Sequence, residues 1–84
     1  MGRKQSNPQP HNEFSGRIGH NIRRLRKRSG LTVENCAESA EISIAVWYRL
    51  EGGQISLTNG NAMVAVCNLF GADLVELLRK PRGT

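Results

Sequence analysis

The chain has 84 residues, of which 38% are hydrophobic, and it carries a formal net charge of +5. A chain of this length makes one domain with a small core, and such small domains often gain stability from dimerisation. The basic charge balance favours a polyanionic partner. The lack of a long apolar run argues against a membrane-spanning segment and against a secretory signal.

Composition divides the chain into three parts. Residues 1–13, MGRKQSNPQPHNE, are rich in Pro, Asn and Gln, so we expect a disordered tail there. Residues 14–80 hold the helical patterns and make up the predicted domain, and Pro81 prevents continuation, which leaves residues 81–84 as a short C-terminal tail. No strand pattern and no internal repeat occur, so we predict an all-α fold of five short helices.

The first predicted helix runs from about Phe14 or Ser15 to Ser29. Its apolar residues recur at helical spacing and predict one buried stripe, formed by Ile18, Ile22 and Leu25. Gly30 suits a left-handed cap, and Leu31 supplies the apolar contact beyond it. Residues 17–30 contain no acid, and their cations are Arg17, Arg23, Arg24, Arg26, Lys27 and Arg28. This helix is therefore the main basic segment of the chain.

The second and third predicted helices are short and are joined by a tight turn. Thr32 is the expected N-cap of the second helix, which ends near Ala40, and Ser43 is the N-cap of the third, which ends at Glu51. The inward positions of this unit fit one small core, consisting of Cys36, Ala40, Ile42, Trp47 and Leu50. The third helix presents its remaining residues outward, namely Ile44, Ala45, Tyr48 and Arg49. A short helix offered in this way has the geometry of major-groove DNA reading.

The last two predicted helices close the domain. A fourth helix is expected to start weakly between Thr58 and Asn61 and to reach Phe70. Asp73 and Glu76 form a capping box for the fifth helix. That helix has more apolar residues than one short helix buries, so a dimer interface is expected at Leu74, Val75 and Leu78. The alternative is that all of them pack inside the monomer.

Residues with catalytic or metal-binding chemistry are not grouped in this sequence. The two cysteines, Cys36 and Cys67, lie in apolar helical settings without histidines at metal-binding spacing. We therefore expect buried, reduced thiols and a cytoplasmic protein. The sequence shows no nucleophile–base pair, no paired acids and no phosphate-binding glycine loop. We expect no enzymatic activity, no metal, no cofactor and no small-molecule substrate.

In their order and spacing these segments resemble the lambda-repressor-like helix-turn-helix family of the Xre/Cro type. The resemblance is carried by IGxxIRxLR at residues 18–26, GLT at 30–32, Ala37, ISxxxWxxLExG at 42–53 and GADLVELL at 71–78. It implies a transcriptional regulator, more often a repressor, that binds a palindromic site in double-stranded DNA as a homodimer. The expected base-reading residues are those on the outer side of the third helix, Ile44, Ala45, Tyr48 and Arg49.

The resemblance also implies phosphate contacts and one ion pair. The Arg that the family has late in its first helix corresponds to Arg26, and its partner at the end of the third helix corresponds to Glu51. Positions expected to bind phosphate are Arg23, Arg26, Lys27, Thr32, Val33, Ser43 and Gln54. Val33 stands where the family commonly has Gln, which leaves the backbone N–H groups of that turn. Glu41 stands where the turn usually has Gly, at a cost of roughly 1 kcal/mol if it is left-handed.

A function of a different class stays open on the same residues. Ile44, Ala45 and Val46 make the third helix apolar, and Glu41 places a negative charge near the expected DNA surface. Both features favour a protein-interaction module, such as an antitoxin-like or regulatory subunit that retains the fold. Trp47 is assigned to the core instead, because it shares a helix face with Leu50.

Overall fold

The structure is a computed structural model that describes residues 12–55 and 60–80 of the chain. These residues form five helices, and no strand occurs among them: α1 (Glu13–Arg28), α2 (Val33–Ala40), α3 (Ile44–Glu51), α4 (Gly60–Phe70) and α5 (Leu74–Leu78). The all-α prediction is confirmed. Most of the predicted N-terminal tail, the loop residues 56–59 and the predicted C-terminal tail lie outside the described residues.

Side-chain caps determine where the helices begin. Each predicted cap accepts a hydrogen bond from the backbone N–H three residues further on, at 2.9–3.1 Å, and these caps are Thr32, Ser43 and Asp73. Glu76 completes the capping box of α5. α1 begins slightly earlier than expected, because Asn12 caps it by accepting from the Ser15 N–H at 2.9 Å. Asn12 and Glu13 therefore belong to the start of α1 and not to a disordered tail.

Four helices end in the same left-handed turn. In each, a backbone N–H donates to the carbonyl five residues earlier, and the pairs are Leu31 to Arg26, Ile42 to Ala37, Gln54 to Arg49 and Ala72 to Cys67. The residue before each donor has a positive φ, and three of these four are glycines. The fourth is Glu41, with φ 59°, which is the only non-glycine residue with a positive φ in the described ranges. This is the left-handed conformation considered for Glu41 from the sequence.

All five helices contribute to the core: α1 packs against α3 and α5, and α2 packs against α3 and α4. Its fully buried side chains are Ile22, Cys36, Trp47, Leu50, Val66 and Leu77. The Trp47 ring meets the Phe70 ring edge to face, with 6.3 Å between centroids. The assignment of Trp47 to the core is therefore confirmed.

One expectation about the core was wrong. Cys36 is buried, but Cys67 is partly exposed, because Val66 occupies the inward position of α4 and the next residue is turned about 100° around the helix. Both thiols are free, and burial raises the pKa of each. A raised thiol pKa lowers the thiolate fraction at neutral pH, which makes both cysteines poor nucleophiles.

α1 and the end of α3 approach each other most closely at Gly19. A Cβ atom at this position would lie 2.6 Å from the backbone oxygens of Leu50 and Glu51 and 2.7 Å from the nitrogen of Gly53. Only a residue without a side chain fits there, since the neighbouring atoms are backbone. Gly19 therefore sets the distance between the two helices.

A buried amide holds α5 against α1. Asn21 is 2% exposed, and its Nδ2 donates to the carbonyl oxygens of Leu77 at 2.7 Å and Arg79 at 2.9 Å. The last carbonyls of a helix have no partner within the helix, so a buried helix end needs donors from elsewhere. Asn21 supplies them.

Candidate nucleic-acid interface

The outer side of α3 carries the residues that were expected to read bases. Ile44 is 43% exposed and Tyr48 is 51% exposed, and Ala45 and Arg49 are exposed as well. The opposite side is filled by Trp47 and Leu50, which are fully buried. The fold therefore places these four residues together on an open surface of α3.

Val46 differs from its apolar neighbours on α3. It is partly buried and packs against the core, whereas Ile44 and Ala45 remain exposed. The apolar surface that was considered for a protein partner is therefore smaller than the sequence suggested.

An ion pair joins α1 to the end of α3. Arg26 Nε donates to Glu51 Oε2 at 2.5 Å, and Arg26 Nη2 donates to Glu51 Oε1 at 3.2 Å. The two side chains are only 14% and 7% exposed. The hydrogen bond to Glu51 raises the pKa of Arg26, and the nearby Tyr48 adds to this effect. The positions that pair in the resembled family are thus in contact here.

The same carboxylate has a second donor that sequence reasoning missed. Trp47 Nε1 donates to Glu51 Oε2 at 2.6 Å. The two residues are four apart on α3, and side chains at this spacing are neighbours on a helix. That spacing was visible in the sequence, but Trp47 was considered only as an apolar residue.

The residues expected to bind phosphate have different environments. Arg23 and Lys27 are exposed on α1, and Arg26 is largely engaged by Glu51 and by the Leu31 carbonyl at 3.2 Å. The first two cations are therefore more accessible to a phosphate than Arg26.

Among the uncharged candidates, the hydroxyls of Thr32 and Ser43 serve as N-caps. Thr32 also donates its hydroxyl hydrogen to Asn35 at 2.8 Å. The Val33 side chain is buried, so that turn offers only its backbone N–H groups to a ligand.

At Gln54, one of the positions expected to bind phosphate, the backbone N–H is already engaged. The Gln54 N–H donates to the Arg49 carbonyl at 2.8 Å, and the Gly53 N–H donates to the Leu50 carbonyl at 3.0 Å. Both belong to the turn that ends α3, so these groups are occupied. The half-buried side-chain amide of Gln54 is what this position offers to a phosphate.

Charge is separated between neighbouring helices. The exposed positions of α1 form a basic stripe at helical spacing, consisting of His20, Arg23, Arg24, Lys27 and Arg28. α2 and the turn after it expose acids instead, namely Glu34, Glu38 and Glu41. Arg49 is the one cation of α3. An approaching polyanion is therefore attracted mainly at the α1 side of α3.

A second open surface is apolar and lies on α5. Leu74 is 51% exposed and Val75 is 70% exposed, while Leu78 is half-buried. Val64 on α4 is also 60% exposed. Two of the three residues expected in a dimer interface thus have most of their surface available.

Two other kinds of site have no counterpart among residues 12–55 and 60–80. No group of three His, Cys, Asp or Glu side chains is arranged to hold a metal ion in these ranges. None of the helices described there is both long and apolar enough to cross a membrane.

The fold is similar to that of proteins with solved structures. The structure is similar to the clp gene regulator ClgR from Corynebacterium glutamicum, with a TM-score of 0.70 and 25% identity over 82% of this chain and 72% of that chain. It is also similar in fold to a hypothetical transcription factor, NHTF, from Neisseria, with a TM-score of 0.72 and 15% identity over 95% of this chain and 91% of that chain. No curated protein sequence matches the chain.

A family model described as a helix-turn-helix domain matches residues 17–79. This segment runs from the second turn of α1 past the end of α5 and includes α2, the turn at Glu41 and α3. The match and the regulators among the structural neighbours support a DNA-binding transcriptional regulator. Because the matched residues make up most of its length, the chain belongs to the helix-turn-helix domain family.

Proposed function

We propose that this protein is a sequence-specific transcriptional regulator, acting as a repressor, that inserts α3 into the major groove of a palindromic operator as a homodimer. The observation that carries the proposal is the division of α3 into two sides. Trp47 and Leu50 are fully buried, whereas Ile44, Tyr48 and Arg49 are exposed. A helix whose inner side is packed against the core and whose outer side is exposed is suited to enter a DNA groove.

The exposed side chains of α3 determine which bases it is able to read. Arg49 has the planar guanidinium that donates two hydrogen bonds to O6 and N7 of guanine. Ile44 and Ala45 offer apolar contact, which suits the methyl group of thymine. Tyr48 is 51% exposed on α3, and we assign its hydroxyl to a phosphate oxygen.

Phosphate contacts supply most of the affinity in this proposal and no sequence information. Arg23 and Lys27 are the exposed cations next to Arg26 on α1. The backbone N–H groups in the first turn of α2, after Thr32, form a second site, because a helix N-terminus attracts anions. The Ser43 hydroxyl is a third, at the start of the reading helix.

The dimer is assigned to α5. Leu74 and Val75 are exposed apolar side chains on one short helix, and burying them against a second copy removes them from water. Leu78 extends the same surface. In a twofold dimer on B-DNA the two reading helices lie about 34 Å apart, so each enters one half of a palindrome.

A second candidate function is supported by the charge of the turn before α3. Glu41 is exposed there, and α2 exposes two further acids, Glu34 and Glu38. These charges repel DNA and suit a protein partner, so the alternative is an interaction module that binds through Ile44 and Ala45. The smaller apolar surface left by Val46 speaks against it.

Selection from a random DNA duplex library, at low and at moderate salt, separates the two functions. The regulator proposal expects enrichment of a symmetric motif whose half-sites are one helical turn apart. Failure to enrich any duplex at low salt contradicts it and favours the interaction module.

Replacing Arg49 tests the reading residue. Arg49→Ala is expected to weaken binding to the selected site by about 1–3 kcal/mol and to relax base preference at one position. Arg23→Ala should instead weaken binding to all sequences alike and reduce the salt slope by about one. Arg17→Ala is a control outside the basic stripe, since Arg17 is paired with Glu13 at 2.6 Å, and it should change affinity little. Unchanged affinity and selectivity in the first variant would refute the role of Arg49.

A further inference from the structure

The one tryptophan of the chain shares a carboxylate oxygen with Arg26. Glu51 Oε2 accepts from Arg26 Nε at 2.5 Å and from Trp47 Nε1 at 2.6 Å. We propose that Trp47 is a positioning residue for DNA binding: its indole N–H holds Glu51, so that Arg26 keeps one orientation and has N–H groups left for a DNA phosphate. This inference rests on the DNA-binding function proposed above.

The donors of Arg26 show what remains available. Nε and Nη2 donate to Glu51, and Nη1 donates to the Leu31 carbonyl at 3.2 Å. Each Nη atom carries a second N–H group, and no described residue accepts a hydrogen bond from either. Because the guanidinium is planar, bonds to two partners fix its orientation. The two remaining N–H groups therefore have a defined direction before any ligand arrives.

Trp47 is needed because phosphate and Glu51 compete for the same cation. The Glu51 side chain is 7% exposed. A buried carboxylate that loses its cationic partner strongly destabilises the folded protein. DNA does not compete for the Trp47 N–H, since that side chain is fully buried. The indole therefore keeps Glu51 in place while Arg26 contacts DNA. An apolar residue at position 47 fills the core, but it leaves Glu51 Oε2 with Arg26 as its one hydrogen-bond donor.

The test removes the N–H and keeps the shape. Replacing Trp47 with benzothienylalanine substitutes sulfur for the indole N–H and nearly keeps the ring shape. Trp47→Phe, which is genetically encoded, also removes the N–H but leaves part of the buried ring volume empty. Operator affinity of the folded protein should fall about tenfold, the usual effect of losing a hydrogen bond to a charged group. In the free protein the Arg26 Nε–H should exchange faster with solvent, as measured by NMR. Phe70→Leu is the matched control, because it removes the 6.3 Å ring contact with Trp47 but retains the N–H bond, and it should lower the melting temperature without changing affinity.

The same replacement of Trp47 in an Arg26→Gln variant shows whether the loss of operator affinity depends on Arg26. With Arg26→Gln already present, replacing Trp47 should not lower the affinity further. An equal loss in both backgrounds, or an unchanged Arg26 Nε–H exchange rate, overturns the inference. A wild-type protein that binds no duplex overturns the proposed function instead, and the exchange measurement on the free protein still decides the link between Trp47 and Arg26.

Discussion

α3 and α5 begin in the same way and are held in different ways. Each follows a left-handed residue, Glu41 with φ 59° or Gly71 with φ 64°, and each starts at a side-chain cap. At their other ends, α3 is fixed by a buried charged network, whereas α5 is fixed by the neutral amide of Asn21.

The outer surfaces of the two helices differ as well. α3 exposes a mixture of apolar, aromatic and cationic side chains, while the most exposed residues of α5 are the aliphatic Leu74 and Val75. A mixed surface suits base edges and phosphates, and an aliphatic surface suits a second apolar surface. The comparison indicates that the N-cap and the turn before it determine where each helix begins. The contacts of its C-terminal end and its exposed side chains determine which kind of partner it suits.

The largest effect is expected from breaking the contacts of Glu51 with Arg26 and Trp47, which fix the end of α3. Glu51→Ala removes the partner of Arg26 and of the Trp47 N–H, and such a loss within a buried pair costs about 3–5 kcal/mol. Urea unfolding followed by circular dichroism measures this cost. Glu38→Ala, at an exposed acid of α2, is the control and should change the free energy of unfolding little. A small effect at Glu51 would show that α3 is held mainly by apolar packing.

A slightly smaller effect is expected at the contact between α1 and α3. Gly19→Ala places a Cβ 2.6 Å from two backbone oxygens, so the helices must separate, at a cost of about 3 kcal/mol. Thermal unfolding measures the change. Gly60→Ala is the matched control, because a Cβ there meets no atom within 4 Å. Equal melting temperatures for the two variants would contradict the close approach.

Breaking the hydrogen bonds by which Asn21 holds α5 should lower the free energy of unfolding by about 2 kcal/mol and should affect mainly α5. Asn21→Ala leaves the carbonyls of Leu77 and Arg79 without their donor in a buried setting. Amide exchange should accelerate in α5 more than in α3, which would distinguish the two anchors. Asn68→Ala, at an exposed position of α4, serves as the control. Uniform acceleration across all helices would mean that α5 is not a separate unit.

The smallest effect concerns the starts of the two helices. Glu41→Gly should stabilise the protein by about 1 kcal/mol, because glycine adopts the left-handed conformation without a penalty. Gly71→Ala is the converse change, and it should destabilise by a similar amount since a Cβ there has open space and only the φ of 64° is unfavourable. Melting temperatures of both variants test the pair. A loss of stability in Glu41→Gly would show that the glutamate side chain makes a favourable contact.

The sequence was sufficient for features that depend on neighbouring residues. The caps Thr32, Ser43 and Asp73 follow from local chemistry, because a cap bonds a backbone group three residues away. The left-handed Glu41 was considered only because the resembled family has glycine at that position of the turn. The helical periodicity likewise predicted the buried side of α3.

Features that depend on tertiary packing were not predicted from the residues themselves, and the Arg26–Glu51 pair was expected only from the family resemblance. Asn21 meets carbonyls more than 50 residues away, and Gly19 meets the end of another helix. Nothing in the sequence near either residue indicates these partners. The exposure of Cys67 and the occupied N–H of Gln54 were wrongly judged for the same reason, since both depend on how a helix edge or a helix end is placed in the fold.

The contrast between Trp47 and Tyr48 gives the molecule two natural optical reporters. They are the only tryptophan and the only tyrosine of the chain, adjacent in sequence, one fully buried and the other 51% exposed. Indole emission should therefore shift to longer wavelength when the interior opens, while the phenol remains sensitive to whatever covers the outer surface. Unfolding and surface occupancy can thus be followed separately in one unlabelled sample.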